Sequence, residues 1–221
     1  MSSFNERQIF GPLAQWLEHP AHNRTVLGSS PRGPTFLTTK TKELVLNSLN
    51  VIDQYKEMER SKIKEDLARK SFPYSIMMQH VNGDFNISTF IRNGNAFGVE
   101  RIFYWGKRQW DRRGAVGSHN YKQLNHLKSE DDILSLKQYY RFVAIENNIV
   151  YPCKELNSFQ PQENDLYIFG EESKGIEDWI LNICDDYVYI PQFGSVRSLN
   201  VGTSSGIVMN YVSNIFSKGI K

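Results

Sequence analysis

The sequence predicts an α/β domain in which a mostly parallel β-sheet is flanked by helices. From Pro73 onward, short apolar runs alternate with longer stretches whose apolar residues recur at helical spacing. Apolar residues make up 40% of the 221 positions, which is enough for a packed core, and frequent Phe and Tyr favour a sheet. Strands that alternate with helices form βαβ units, and ligands then bind beyond the carboxyl ends of the strands.

The first half of this region contains three predicted strands. The apolar run at residues 75–81 is the first, and a helix over 86–97 follows, with Gly98 where a helix stop belongs. The aromatic run at 101–105 is the second strand. A helix over 131–140 leads to the third strand at 142–145.

The second half repeats the same rhythm. A strand at 165–170 ends at a glycine, and a helix is predicted over 172–184. The β-rich run 187–190 stops at a proline, and a helix over 198–218 follows. The small residues from Gly202 to Gly206 allow another backbone to approach this last helix closely, although an ordinary capped loop would show a similar composition.

Two segments precede this domain. Residues 41–72 predict a charged helical extension, interrupted near Ser61, whose mixed charges are typical of a solvated face. A contact with RNA or with a second subunit is the alternative for this extension. Residues 1–40 have no hydrophobic periodicity and are rich in turn formers. They predict either a disordered extension or an in-frame translation of a tRNA gene, in which case the protein proper begins further along the chain.

Several function classes lack support in the sequence. No apolar run approaches the roughly 18 residues of a membrane span, and no secretory signal pattern is present. Cys153 and Cys184 have no metal-ligand spacing, so we expect idle thiols in the cytoplasm and no metal site. Neither a dinucleotide fingerprint, a phosphate-binding lysine loop nor a serine elbow occurs. The net charge of +2 does not decide for or against nucleic acid.

Three motifs lie at the predicted loops. Residues 86–98 run from Asn through Arg92 to Phe-Gly, residues 169–175 read Phe-Gly-Glu-Glu-Ser-Lys-Gly, and residues 190–201 run from Ile-Pro to Ser-Leu-Asn-Val. In this order they resemble the three motifs of the SpoU family of RNA ribose 2′-O-methyltransferases, within the SPOUT class. The resemblance covers roughly residues 75–216. Gln192 and Phe193 depart from it, since a Met more usually follows the Ile-Pro pair.

The resemblance implies a C-terminal deep trefoil knot, a homodimer, and methyl transfer from S-adenosylmethionine to a ribose 2′-oxygen. It favours tRNA over rRNA, because the chain is small and has no recognisable separate rRNA-binding domain. Two other classes stay open at this point. One is a non-catalytic RNA-binding dimer that keeps the fold, and the other is a SPOUT methyltransferase directed at a base.

The resemblance also implies roles for four catalytic positions. Arg92 would grip a phosphate and stabilise an incipient alkoxide, since a guanidinium stays protonated and is a poor base. Glu172 would orient Arg92 or the helix start, and Ser198 and Asn200 would fix the ribose or phosphate. The alternatives are a surface ion pair for Arg92, a glutamate at a helix start for Glu172, and helix capping for the other two.

Further positions are implied for the two ligands. The cofactor would contact Phe169, Gly170, Gly175, Ile190 and Leu199, mainly through backbone groups. The RNA-binding candidates are an asparagine at the start of the first motif and four cations in an aromatic-rich loop, where rings stack on bases and cations meet phosphates: Asn86, Lys107, Arg108, Arg112 and Arg113. The alternative for this loop is a twisted connection with buried Trp residues and solvated charges.

Overall fold

The computed structural model of the chain describes residues 51–81, 85–147, 150–171 and 174–219. The predictions for residues 1–40 and 41–50 and the role of Glu172 lie outside the described residues.

Within the described ranges, seven strands form one sheet in which every neighbouring pair is parallel. The strands are β1 (Tyr74–Val81), β2 (Arg101–Gly106), β3 (Gln123–Leu127), β4 (Arg141–Ile145), β5 (Lys154–Glu155), β6 (Asp165–Phe169) and β7 (Asp186–Tyr189). Their order across the sheet is β3-β2-β1-β6-β4-β7-β5. The predicted parallel sheet is therefore confirmed, and β6, β4 and β7 are consecutive neighbours in it.

The α-helices of the described ranges are α1 (Arg60–Arg69), α2 (Phe85–Ala96), α3 (Glu130–Leu136), α4 (Asp178–Ile183) and α5 (Val201–Gly219). Short 3-10 turns occupy Asp53–Tyr55, Arg113–Ala115, Ser118–Asn120 and Leu156–Ser158. None of the helices in the described part of the chain is long and apolar enough to cross a membrane.

Helices cover both faces of the sheet. Ile76 belongs to a core cluster with residues of α2 and α5, whereas the adjacent Met77 belongs to a second cluster with residues of α3 and α4. Consecutive side chains of a strand point to opposite faces, so the two clusters are the two sides of one sheet. Val208 and Val212 are both fully buried, so α5 packs its apolar side into the core.

Helices α2 and α5 pack closely because glycines face the contact. A Cβ built on Gly202 would lie 3.0 Å from Thr89 Cγ2, and one on Gly206 would lie 3.2 Å from Asn93 Nδ2. Asn93 Nδ2 also donates to the Gly202 carbonyl oxygen at 2.9 Å. The small residues of α5 therefore serve its close contact with α2.

Gly94 has a packing role that the sequence did not reveal. A Cβ at this position would lie 2.7 Å from Ile102 Cδ1 and 3.2 Å from Ile76 Cδ1. The glycine therefore lets α2 lie close against β1 and β2.

The structure corrects several predicted elements. Strands β3 and β5 were not predicted, because β3 carries polar residues on an edge of the sheet and β5 has only two residues. The helix predicted over 172–184 begins only at Asp178, since Gly175 has φ +71° and cannot be helical. In the described part of the charged extension, residues 51–72, the α-helix begins at Arg60, next to the predicted interruption.

Candidate active site

A cavity of about 310 Å³ opens at the carboxyl ends of β4, β6 and β7. Its wall is built by the segments that follow these three strands, as expected for a parallel sheet. All five positions assigned to the cofactor line this cavity, together with Ser198: Phe169, Gly170, Gly175, Ile190 and Leu199. The second and third motifs are 15 residues or more apart in the chain, and the sheet brings them together around this cavity.

The second motif forms a tightly closed loop. Glu171 and Gly175 exchange backbone hydrogen bonds, with the Gly175 nitrogen donating to the Glu171 oxygen at 2.8 Å and the reverse bond at 3.2 Å. A Cβ on Gly170 would lie 2.1 Å from the Gly175 carbonyl carbon. No side chain fits there, so the first glycine of the motif is required by backbone contact as well as by any ligand.

Glu146, the residue after β4, holds this loop from the other side. Its Oε2 accepts a hydrogen bond from the Ile176 nitrogen at 3.2 Å, and its Oε1 accepts one from the Asn147 nitrogen at 2.8 Å. A Cβ on Gly175 would lie only 2.5 Å from Glu146 Oε2. The carboxylate therefore occupies space that the second glycine leaves free, and it also lines the cavity.

Gln192 also lines the cavity. Its Oε1 is buried, and no described residue donates a hydrogen bond to it. A buried acceptor left unpaired costs roughly 1–3 kcal/mol, which marks this atom as one that a ligand can satisfy.

The first and third motifs meet at the ends of two helices. Asn200 Nδ2 donates to Asn86 Oδ1 at 3.0 Å. Asn200 Oδ1 accepts from the Thr203 nitrogen at 3.2 Å and so caps α5. Capping was the alternative role for Asn200, and here it is combined with a link to Asn86. Ser198 is not capping a helix, since α5 begins three residues later and Ser198 is exposed.

Arg92 lies outside the cavity. Its side chain is exposed on α2, and none of the described residues provides it with a hydrogen bond or an ion pair. Its neighbour Asn93 borders a groove between α2 and α5, and this groove includes Asn200. The structure of one chain thus leaves Arg92 available to another molecule and does not bring it to Ser198.

The basic loop, residues 107–113, lies against the start of α2. Gly114, the residue after this loop, lies so close to α2 that a Cβ built on Gly114 would be 2.8 Å from Ser88 Cβ. The Arg113 guanidinium lies over the Phe85 ring at 5.4 Å and pairs with Asp111, which lowers the pKa of that carboxyl. Lys107, Arg108 and Arg112 are exposed. Of the four predicted RNA-binding cations, Arg113 therefore contacts the helix that carries Asn86.

The aromatic residues of this region are placed differently from the prediction. Tyr104 is 7% exposed, and Trp105 packs edge-on against Trp179. Trp110 contacts His119 edge-on. Because these rings are already packed within the chain, the structure favours the alternative of structural aromatics with solvated charges around them.

Three residues of the cavity were not predicted from the sequence: Glu146, Asn147 and Gln192. The available signal was positional, because Glu146 and Asn147 directly follow a buried strand whose carboxyl end faces the site. Among the described residues, no group of three or more His, Cys, Asp or Glu side chains is arranged to hold a metal ion.

Comparison with known proteins gives consistent matches. The sequence profile of the SpoU rRNA Methylase family matches residues 73–210. A tRNA (guanosine(18)-2′-O)-methyltransferase of Escherichia coli is 28% identical over 156 residues, which are 67% of this chain and 66% of that relative. The chain thus spans just under two thirds of the length of this curated relative.

Solved structures show the same fold. The TrmH/SpoU tRNA modifying enzyme of Aquifex aeolicus superimposes with a TM-score of 0.64 at 19% identity, over 72% of this chain and 83% of that one. The SpoU methyltransferase AviRb of Streptomyces viridochromogenes, in complex with the cofactor AdoMet, gives a TM-score of 0.58 at 18% identity, over 66% and 58% of the two chains.

Proposed function

The chain belongs to the SpoU rRNA Methylase family, and from this membership we propose that it is an S-adenosylmethionine-dependent RNA methyltransferase acting on a ribose 2′-hydroxyl. One observation carries the proposal. The second and third motifs, distant in sequence, together line a single cavity at the carboxyl ends of β4, β6 and β7.

The residues of this cavity fit the cofactor. Gly170 and Gly175 contribute backbone to the cavity wall, and Ile190 and Leu199 supply apolar contact. The buried Gln192 Oε1 offers an acceptor to a polar group of a ligand. When bound, S-adenosylmethionine supplies a methyl group on a positively charged sulfur.

The residues of the chain then have to position the 2′-oxygen in line with that methyl and remove its proton. Ser198, exposed at the cavity wall, and Asn200, which is hydrogen-bonded to Asn86, would hold the ribose. Arg92 would bind the neighbouring phosphate and stabilise negative charge on the oxygen as the proton leaves. Orientation of Arg92 by Glu172 stays a prediction.

We infer tRNA as the RNA substrate and a homodimer as the active form. The E. coli relative bears a tRNA methyltransferase name, and the Aquifex aeolicus structure is that of a tRNA modifying enzyme. The position of Arg92, exposed and outside the cavity, supports a site completed by a second copy of the chain. The trefoil knot, which the family resemblance implies, stays a prediction.

An activity assay tests this function. The protein is incubated with S-adenosylmethionine and unmodified tRNA or rRNA, and the digested RNA is analysed by mass spectrometry for ribose-methylated nucleosides. We expect methylation of tRNA by the wild type and a loss of at least about 100-fold in kcat for Arg92→Ala, the size typical for a lost electrostatic contact in a transition state.

Three results would contradict the proposal. Methylation confined to bases would assign the chain to the base-directed class. RNA binding without any methylation would favour a non-catalytic dimer. Full activity of a folded Arg92→Ala protein would remove this arginine from the mechanism.

A further inference from the structure

The cavity contains one buried polar atom that the family resemblance does not explain. Gln192 stands where a methionine is more usual, and its Oε1 is buried without a donor among the described residues. Methionine would fill similar space without needing a hydrogen bond. The glutamine therefore introduces an acceptor that the packing of the chain leaves unpaired, and buried acceptors are normally paired.

The position of Gln192 restricts which ligand group it can meet. It lies two residues after Ile190, whose side chain lines the same cavity, and it borders a second cavity lined by Tyr151, Cys153 and Arg197. No charged group of the cavity is hydrogen-bonded to it in the described ranges. An amide oxygen accepts a hydrogen bond from any N–H or O–H donor. The apolar wall at Ile190 suits a nucleobase, and the 6-amino group of adenine is such a donor.

We propose that Gln192 accepts a hydrogen bond from the 6-amino group of the cofactor's adenine and is a specificity-determining residue of the cofactor site. This inference rests on the proposed function, because it requires S-adenosylmethionine in the cavity. The bond gives the site a side-chain contact that rejects purines lacking the amine, since an unmatched ligand leaves the buried oxygen unpaired.

The test is a two-by-two comparison by isothermal titration. Wild type and Gln192→Met are each titrated with S-adenosylhomocysteine and with its desamino analogue, which carries hydrogen in place of the 6-amino group. We expect Gln192→Met to weaken S-adenosylhomocysteine binding roughly 5- to 15-fold, the equivalent of one hydrogen bond. The affinity for the desamino analogue should change by less than about twofold, because the bond is absent there.

A matched control is Gln138→Met, which replaces an exposed glutamine that does not line the cavity. It should leave both affinities unchanged. Equal weakening of the two ligands by Gln192→Met, or no weakening of either, would overturn the inference while leaving the proposed function intact. Absence of binding of either ligand to the wild type, with S-adenosylmethionine also failing to bind, would instead overturn the proposed function itself.

Discussion

The role of single residues is clearest at the two glycines of the second motif. The sequence suggested that Gly170 leaves room for a nucleoside, and the structure adds that its α-carbon faces the backbone of Gly175. This contact joins Gly170 and Gly175, which are five residues apart in a closed loop. Only the folded backbone reveals the contact.

Replacing Gly170 by Ala should therefore disrupt the loop that lines the cofactor cavity. The new Cβ would lie 2.1 Å from a backbone carbon, so the loop must shift, at a cost of roughly 1–3 kcal/mol. We expect at least about a tenfold loss of S-adenosylmethionine affinity in isothermal titration. Gly194→Ala is the control, since nothing lies within 4 Å of its Cβ. Equal affinities for the two variants would contradict this account.

Lys122 supplies a prediction for the pH dependence of stability. Its side chain is 7% exposed and donates to the Val99 oxygen at 2.6 Å, and burial lowers its pKa from 10.5 to about 8. Below pH 8 the amine is protonated in both folded and unfolded chains, and its burial penalty is constant. Between pH 8 and 10.5 the unfolded chain holds more protons, so a rise in pH favours the folded state.

Urea denaturation at several pH values measures this effect. The free energy of unfolding of the wild type, minus that of Lys122→Met, should rise between pH 8 and 10.5 by up to about 1.4 kcal/mol per pH unit. The difference should be flat between pH 6 and 7.5. A difference that falls or stays constant above pH 8 would show that the pKa of Lys122 is not lowered.

At the scale of secondary structure elements, the contact between α2 and α5 connects the first motif to the third. Both helices begin at the site, where Asn86 and Asn200 are hydrogen-bonded. Their close approach depends on the absence of side chains at Gly202 and Gly206. The packing of α5 against α2 therefore helps to fix the position of Asn200.

Gly202→Val should force the two helices apart. Its Cβ would lie 3.0 Å from both Thr89 Cγ2 and Asn200 Oδ1, and overpacking of this kind costs roughly 1–3 kcal/mol. Chemical denaturation should show this loss of stability. Gly219→Val, at the end of the same helix with nothing within 4 Å of its Cβ, serves as the matched control. Equal stability of the two variants would refute the packing argument.

The basic loop is the second element with a functional prediction. Arg113 is paired with Asp111, whereas Lys107 and Arg108 are exposed. Exposed cations that neutralise phosphates release counterions from RNA, so their removal reduces the salt dependence of binding.

We expect the Lys107→Ala, Arg108→Ala double variant to bind tRNA more weakly and to lower the slope of log K against log salt by about 0.7–0.9 per lost phosphate contact. Arg113→Ala should have a smaller effect. The double variant Lys62→Ala, Lys64→Ala, in exposed positions of α1, tests the alternative that the extension contacts RNA. An unchanged slope for the first double variant would leave the loop with a structural role alone.

At the scale of the whole molecule, the proposed active form is a homodimer, which requires a second copy of the chain. The outer face of α2 and α5 carries the exposed Ile207 beside the groove that includes Asn200. A symmetric contact here would bring the Arg92 surface of one copy towards the site of another.

Ile207→Glu should therefore shift the protein towards monomer in sedimentation velocity and reduce methylation, because a charge in an apolar contact is costly. Leu134→Glu is the control, since Leu134 on α3 is 43% exposed and Ile207 is 39% exposed. A wild type that sediments as a monomer while retaining full activity would exclude the dimer as the active form.

The sequence by itself determined the parallel α/β architecture and the family. Buried strands and amphipathic helices have distinct periodicities, and the three motifs keep their order along the chain. The five positions that the family resemblance assigned to the cofactor line one cavity, because segments that follow the strands converge at the carboxyl edge of a parallel sheet. Their contact with the cofactor stays a prediction. Edge strands β3 and β5 escaped prediction because a polar or two-residue strand has no apolar pattern.

Only the tertiary structure decided which residues distant in sequence are in contact. The pairing of Asn86 with Asn200, the contact of Gly170 with Gly175 and the unpaired oxygen of Gln192 depend on atoms brought together by sheet order and helix packing. Likewise, Tyr104 could have faced RNA or the core, and the structure buries it in the core. Local patterns specify which elements form, whereas long-range packing specifies which side chains remain free to bind a ligand.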